Sequence, residues 1–324
     1  MKSSAHWEAK NIPAFRAALL KWYHANRRDL PWRRTDDPYK IWLSEIMLQQ
    51  TRVAAVLEHY DRFLKRFPTV QKLAAAKEAS VLAQWSGLGY YRRARNLHAA
   101  AKIVVKEHAG EFPRTSAVLR NLPGIGRYTA AAIASIAFGE AAAVVDGNVE
   151  RVIVRMTAQN ISGEQVWATA NQMLSREHPG DFNQAMMELG AMVCLPGEPK
   201  CSECPVRRFC RTRGRHASAA KAPRQFKREI AYTLERRDGS VLLVQRSASE
   251  QLMPRMWELP RAAPQESDVQ LFSVRHSITV TDYKVRVVSK NGTEGTWVRR
   301  ERLNKLPLTG VTKKILRLAG IIEK

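Results

Sequence analysis

The chain has 324 residues and carries 53 Lys and Arg against 30 Asp and Glu, a formal net charge of +23. That length is comfortable for two domains rather than one core, and the charge implies a polyanionic partner more readily than a small neutral ligand. The stretch MKSSAHWEAKNIPAF has no apolar core segment, and the longest uncharged apolar stretch, near Thr129 to Phe138, is far too short to span a bilayer; the expectation is no secretory signal, no membrane association and a cytoplasmic, nucleoid-associated place.

Residues 12 to 30 have helical periodicity and run into RRDLPWRRTDDPYK, where Pro31 and Pro38 bracket a non-helical segment containing Trp32. The next stretch, IWLSEIMLQQTRVAAVLEHYDRFL, reads as one amphipathic helix with Ile41, Leu43, Ile46 and Met47 among its apolar positions. Glu45 interrupts that face. Desolvation among Leu43, Ile46, Met47 and Leu48 would favour its neutral form, as a general acid near neutral pH requires; the alternative is a carboxylate that points to water or pairs with an arginine. Two short helices, a glycine-flanked turn and another helix follow from Phe67 to Val105. In the turn, GLGYYRRAR sets Tyr90 and Tyr91 beside three arginines. That combination suits a ring entering a base stack while cations hold the backbone, and equally two tyrosines capping a core.

Pro123 breaks a helix suggested by Ala117 to Leu122, Gly124 and Gly126 free the backbone, and an alanine-rich helix follows from about Tyr128 to Phe138. Unpaired N–H groups at that helix start suit a DNA phosphate, with Arg127 adding charge. A lone P-G-x-G is equally an ordinary helix connection. The chain then returns through AAAVV, an apolar run expected to be buried, and delivers Asp146 beside Gly147 and Asn148. Residues 162 to 193 read as helical. All four cysteines lie within seventeen residues, spaced Cys194-x6-Cys201-x2-Cys204-x5-Cys210, which argues for a metal centre over disulfides and leaves zinc and an iron–sulfur cluster both open. Past a small, basic linker, the alternation in REIAYTLERRDGSVLLVQRS about an Asp238-Gly239 turn, and in TDYKVRVVSK and GTWVRRERL, predicts strands. A final helix is expected near Thr312 to Leu318. Both parts are basic, with 34 Lys and Arg against 19 Asp and Glu in residues 1–224 and 19 against 11 in 225–324.

LPGIGRYTA followed by VVDGNVERV resembles the helix-hairpin-helix DNA glycosylase superfamily, and SEIMLQQT, DLPWR and FNQAMMELGAMVC are similar to its adenine DNA glycosylases of the MutY type. The resemblance covers nearly the whole chain. It implies a mainly α helix-hairpin-helix glycosylase domain over residues 1–215, with the hairpin at about 117–138 and a [4Fe-4S] loop over 194–210. A linker at 216–226 and a smaller α+β Nudix-like lesion-recognition domain over 227–324 would follow. It implies removal of adenine from A:8-oxoguanine or A:G pairs in double-stranded DNA by a monomer. Glu45 would protonate the departing base, Asp146 would stabilise the cationic sugar, and Tyr128 and Asn148 would orient these groups. Tyrosine at position 128, where strand-cutting relatives resemble LPG-x-GRKTA, implies no efficient lyase activity. Gly124, Gly126 and Arg127 would hold phosphate. Trp32, Leu48 and Gln184 would line the base pocket, while Tyr90 would wedge into the duplex at the opposing base with Gln50 acting from the other side. Cys194, Cys201, Cys204 and Cys210 would ligate one [4Fe-4S] cluster. The C-terminal domain lacks the acidic helix of active Nudix enzymes, so no pyrophosphatase is expected. Where the family reads H-x-F-S-H, this chain has His276 followed by Ile278, Thr279 and Val280, so Thr279 and His276 are carried over without the final histidine. A thymine glycosylase acting on G:T, and a non-catalytic DNA-binding protein for which Glu45 and Asp146 are incidental, are the competing readings.

Overall fold

The computed structural model describes residues 11–213, 226–250, 252–263, 269–278, 281–289 and 293–323. The first part of the chain is helical: α1 (Ile12–Asn26), a 3-10 turn (Pro31–Arg33), α2 (Pro38–Leu48), α3 (Val53–Arg66), α4 (Val70–Ala74), α5 (Glu78–Trp85), α6 (Arg92–Glu107), α7 (Ser116–Leu119), α8 (Arg127–Phe138), α9 (Gly147–Thr157), α10 (Glu164–Met173) and α11 (Pro179–Met192). Strands follow: β1 (Phe226–Thr233), β2 (Arg236–Arg237), β3 (Ser240–Gln245), β4 (Trp257–Glu258), β5 (Arg261–Ala262), β6 (Val269–Ile278), β7 (Thr281–Ser289) and β8 (Thr296–Arg299), then α12 (Arg300–Leu303) and α13 (Gly310–Leu318). Among the described residues no helix is long and apolar enough to cross a membrane.

Packing does not divide the chain in sequence order. One compact unit comprises Met1–Tyr60 with Ala100–Ala220, the other Asp61–Ala99 with Lys221–Lys324. The expected linker, 216–226, lies outside the described residues except for Phe226, which opens β1.

In the first unit, Phe15, Leu19 and Tyr23 of α1 pack with Val149, Val152, Ile153 and Met156 of α9, Met173 of α10 and Phe182, Met186 and Leu189 of α11. The i, i+3, i+4 and i+7 spacing of the α9 residues is the apolar stripe that makes an amphipathic helix bury one face. α11 is packed more tightly: a Cβ on Gly190 would stand 2.6 Å from the Asn148 Cβ, so only glycine lets α11 approach the start of α9. α8, alanine-rich, buries every residue from Thr129 to Ser135.

In the second unit, β1 lies parallel to β7 and antiparallel to β5, with β6 at the far edge of the order β5-β1-β7-β6. β3 pairs with β2, β4 and β8. Arg237 faces Ser240 across a two-residue turn in which Asp238 and Gly239 take φ of 47° and 71°, the left-handed pair a type I′ hairpin needs. Val311, Ile315 and Leu316 of α13 join Val285, Val287 and Leu243 in the core.

Four expectations are corrected. The single helix expected over 41–64 is two, because Gln50 takes φ of 54° and ends the helical path between Leu48 and Val53. Residues 162–193 form α10 and α11 with a break before Pro179, whose ring suits a first helical turn but not an interior. In AAAVV only Ala143 and Val144 are fully buried, and Ala141 is exposed. GTWVRRERL is a strand only to Arg299, beyond which α12 begins.

Candidate active site

A cleft of about 660 Å³ opens in the first unit, and Trp32, Glu45, Leu48, Gln50, Tyr128, Asp146, Asn148 and Gln184 all line it. Six separate segments supply them: the 3-10 turn, α2, the α2–α3 turn, α8, the start of α9 and α11. Trp32 is buried and meets the Tyr60 ring edge-on at 5.3 Å.

Glu45 is 6% exposed, so it does not point to water. Burial raises its carboxyl to about 7; a hydrogen bond from Tyr128 opposes that shift, and the negative charge of Asp146 adds to it. Its Oε2 has no hydrogen-bond partner. An unpaired buried carboxyl oxygen lining a cleft is poised for a ligand, and a carboxyl near 7 holds its proton at neutral pH. The Tyr128 hydroxyl also lies 3.2 Å from Met187 Sδ. Burial, with Glu45 and Asp146 nearby, raises its pKa well above the ordinary value, so it stays a neutral donor.

Asp146 sits in the opposite environment. It caps α9: Oδ1 accepts from Val149 N at 2.7 Å, and Oδ2 from Asn148 Nδ2 at 3.1 Å. The first turn of a helix and an amide donor both complement negative charge. Asn148 is itself held, since its Oδ1 accepts from Arg151 Nη2 at 2.8 Å. That guanidinium also donates to Gly190 O at 2.7 Å and, from Nε, to Cys194 O at 2.9 Å. The cleft and the cysteine loop therefore share one arginine.

Sequence reasoning missed a third carboxylate in the cleft. Glu188 is fully buried and takes two arginines: Arg33 Nη1 and Nη2 at 2.9 and 2.8 Å, and Arg28 Nε and Nη2 at 2.9 and 2.6 Å. Burial alone would raise its pKa; the hydrogen bonds from Arg33 and Arg28 win and hold it at about 2. The available signal was the one that singled out Glu45, a charge embedded in the apolar run MMELGAM.

The hairpin forms as expected in the same unit, with Gly124 at φ 77° and Gly126 as the N-cap of α8 without any side-chain cap. Backbone N–H groups at that end are left for an outside acceptor. Arg127 is not a free cation there: Nη1 pairs with Glu164 Oε1 at 2.5 Å and the guanidinium lies 3.9 Å from the Trp167 ring centre.

Cys194, Cys201, Cys204 and Cys210 line a separate cavity with Arg155, Lys200, Arg207 and Arg213 and apolar Val152, Met156, Leu189 and Val206. All four thiols are free. Burial pushes Cys204 up to about 11 and also raises Cys201, so these are not activated nucleophiles. A thiol-only donor set ringed by cations fits a thiolate-held anionic group. Among the described residues no three His, Cys, Asp or Glu side chains stand close enough to hold a single metal ion.

In the second unit the two tyrosines separate: Tyr90 is 45% exposed with φ of 47°, whereas Tyr91 is buried. His276 lies on β6, lining a cavity of about 670 Å³ with Lys227, Arg228, Arg275 and Lys284. Burial, then Lys314, lowers its pKa. Thr279 and Val280 lie outside the described residues; Ile278 pairs with Thr281.

Residues 43–176 match the HhH-GPD superfamily base excision DNA repair protein family. The human adenine DNA glycosylase is 48% identical over 223 residues, 64% of this chain and 41% of that protein. The chain thus matches less than half the length of that relative. Among solved structures, a thermostable thymine-DNA glycosylase is 32% identical with a TM-score of 0.59, covering 62% of this chain and 96% of its own. A trapped endonuclease III–DNA covalent intermediate is 25% identical with a TM-score of 0.56, covering 64% and 97%.

Proposed function

The chain belongs to the HhH-GPD superfamily of base excision DNA repair proteins, and from that premise we propose that it is an adenine DNA glycosylase acting on A:8-oxoguanine and A:G pairs. The observation that carries this reading is the pair of carboxyls facing one cleft in unlike settings, Glu45 desolvated and raised to about 7, Asp146 hydrogen-bonded at a helix start. Such pairs divide acid and anion roles between chemically similar groups.

Glu45 delivers its proton to the departing adenine, whose ring nitrogen reaches the unpaired Oε2. The C1′–N9 bond then breaks with its electrons leaving on the protonated base. Asp146 stabilises the resulting sugar cation, and water adds at C1′, its released proton passing to the Glu45 carboxylate that the first step left. Asn148 and Arg151 hold Asp146 in place, and Tyr128 donates to the carboxyl without offering an amine, so no Schiff base forms. Trp32, Leu48 and Gln184 enclose the base, a pocket that an extruded nucleotide enters at the cost of unstacking. Gln50 and Tyr90 are exposed non-glycine residues in left-handed backbone, strain that suits side chains held ready to enter the duplex. Gly124 and Gly126 bring the start of α8 to a phosphate.

The four cysteines hold a [4Fe-4S] cluster, which when bound supplies a fixed anionic anchor for the basic loop over 194–213. The second unit's sheets form the Nudix-like lesion reader, with His276 on β6 and, from the sequence resemblance alone, Thr279 as its contacts to the oxidised base. Its partner is double-stranded DNA, bound by a monomer among the nucleoid in the cytoplasm.

The test is base release from A:8-oxoguanine, A:G and G:T duplexes, with and without alkali to reveal abasic sites. Adenine release that needs alkali for strand breakage supports the reading. Release from G:T alone would instead give the thymine activity of the solved neighbour, and no release from any duplex would leave a DNA-binding protein.

A further inference from the structure

The loop that carries Tyr90 is shaped by one set of contacts and seated by another. Between Trp85 and Arg92 the backbone turns left-handed at Gly87, Gly89 and Tyr90, with φ of 112°, 71° and 47°. Trp85 Nε1 donates to Gly89 O at 3.1 Å, and Arg93 Nη2 donates to Leu88 O and Gly89 O at 3.2 and 3.3 Å. The Arg93 guanidinium lies 5.4 Å from both the Trp85 and the Tyr90 ring centres. These contacts are local. They set the shape of the loop and leave its position to something else.

That position is set by Leu308. Ser86 and Tyr91, which flank the turn, are 2% and 4% exposed, and both hydroxyls donate to the same atom, Leu308 O, at 3.1 and 3.2 Å. A carbonyl oxygen has two lone pairs and can accept both. Lys313 Nζ adds a bond to Ser86 O at 3.3 Å. Leu308 is fixed from the other side: it bridges Trp257, whose N–H donates to Pro307 O at 2.9 Å, while Thr309 N donates to Trp257 O at 2.9 Å. All of these residues belong to the same compact unit.

We propose that the Leu308 carbonyl is the seat of the Tyr90 loop, with Ser86 and Tyr91 as positioning residues, so that the C-terminal part of the chain acts on base extrusion as well as on lesion reading. This rests on the reading of Tyr90 as the duplex wedge. A ring driven into stacked bases is pushed back, and the loop cannot retreat without breaking both hydroxyl bonds to Leu308 O. The loop therefore has one seat, chosen by a residue more than two hundred positions away in sequence.

The experiment is a double-mutant cycle in the full-length chain, with 2-aminopurine at the target adenine position opposite 8-oxoguanine as a fluorescent report of extrusion. Tyr91→Phe should lower the extruded fraction about fivefold, the worth of one neutral hydrogen bond, and Ser86→Ala should do the same. In a Tyr90→Ser background neither should cost anything further. An equal loss in both backgrounds, or no loss in the parent, overturns the proposal while leaving the wedge intact. If Tyr90→Ser alone leaves extrusion unchanged, the wedge reading fails, and the proposal with it. Thermal melts establish that each variant is folded, and Ser86→Ala carries the cycle if Tyr91→Phe is not.

Discussion

Replacing Glu45 by Gln keeps the side chain's shape and removes its titration, which separates its chemical cost from its chemical use. Burial carries the carboxyl from 4.5 to about 7. Between those values the folded chain holds a proton that the unfolded chain releases, so stability falls as pH rises, and the loss is complete above the folded value. At ~1.4 kcal/mol per unit, ionising Glu45 costs the fold roughly 3 kcal/mol at pH 8 and about 1 kcal/mol at pH 5. Glu45→Gln should therefore be more stable than the parent, by a margin that widens by roughly 2 to 3 kcal/mol from pH 5 to pH 8. Equilibrium urea unfolding at the two pH values, followed in the transition of the helical unit, measures it. The same variant should bind mispaired DNA yet release base at least ~100-fold more slowly in single turnover, because no proton is delivered. In the parent, release should decline about tenfold per pH unit above the folded pKa. A stability margin indifferent to pH, or a rate flat from pH 6 to pH 9, would refute the reasoning.

Asp146→Asn should keep DNA binding and lose at least ~100-fold in single-turnover release, since a neutral amide cannot stabilise a cationic sugar; near-parent turnover removes Asp146 from the chemistry. Tyr128→Lys should bring an amine beside the sugar and produce a borohydride-trappable adduct, and its absence would mean that position 128 does not face the sugar. Purified protein should be brown and contain iron with little zinc; stoichiometric zinc in anaerobically prepared protein contradicts the cluster. Thr279→Ala should reduce the preference for 8-oxoguanine over guanine by about tenfold, the worth of one polar base contact at ~1–3 kcal/mol, and an unchanged preference moves lesion reading to another part of the domain.

Much of the site was legible because its signals are local. The hairpin at Gly124 and Gly126 and the turn at Asp238-Gly239 each follow from backbone freedom within a few residues, whereas the start of α9, capped by Asp146, was not read. The break at Gln50 was not legible, since glutamine has no preference for left-handed backbone and the apolar pattern runs through it unbroken. Nor was the grouping of residues 61–99 with residues 221–324 in one compact unit. Ser86, Tyr91 and Leu308 meet through a single carbonyl, an atom that every residue has.

The two embedded glutamates show where pattern reading stops. Glu45 and Glu188 each interrupt an apolar helical run, both are buried, and both line the same cleft. By sequence they are one signal. Their protonation states diverge, about 7 against about 2, because of what crosses from elsewhere in the chain. Arg28 and Arg33 arrive from the segment after α1 and place both guanidiniums on Glu188. Glu45, one helix away from Arg33, has a tyrosine hydroxyl and a second carboxylate beside it and feels Arg33 only as the last of the causes that shift it, with no ion pair. Desolvation acts on both groups in the same direction; the counterions decide which becomes a fixed anion and which keeps a proton to give. Arg33 spends its charge chiefly on Glu188, through two hydrogen bonds, and acts on Glu45 only through space. Loss of Arg33 would leave Glu188 with Arg28 alone, and Glu45 would then share its cleft with a less well-neutralised anion. Both carboxyls would rise, and the acid limb of Glu45 with them, so an Arg33→Gln variant should shift the high-pH decline of base release upward, and a decline that does not move would show that the charge of Arg33 does not act on the acid.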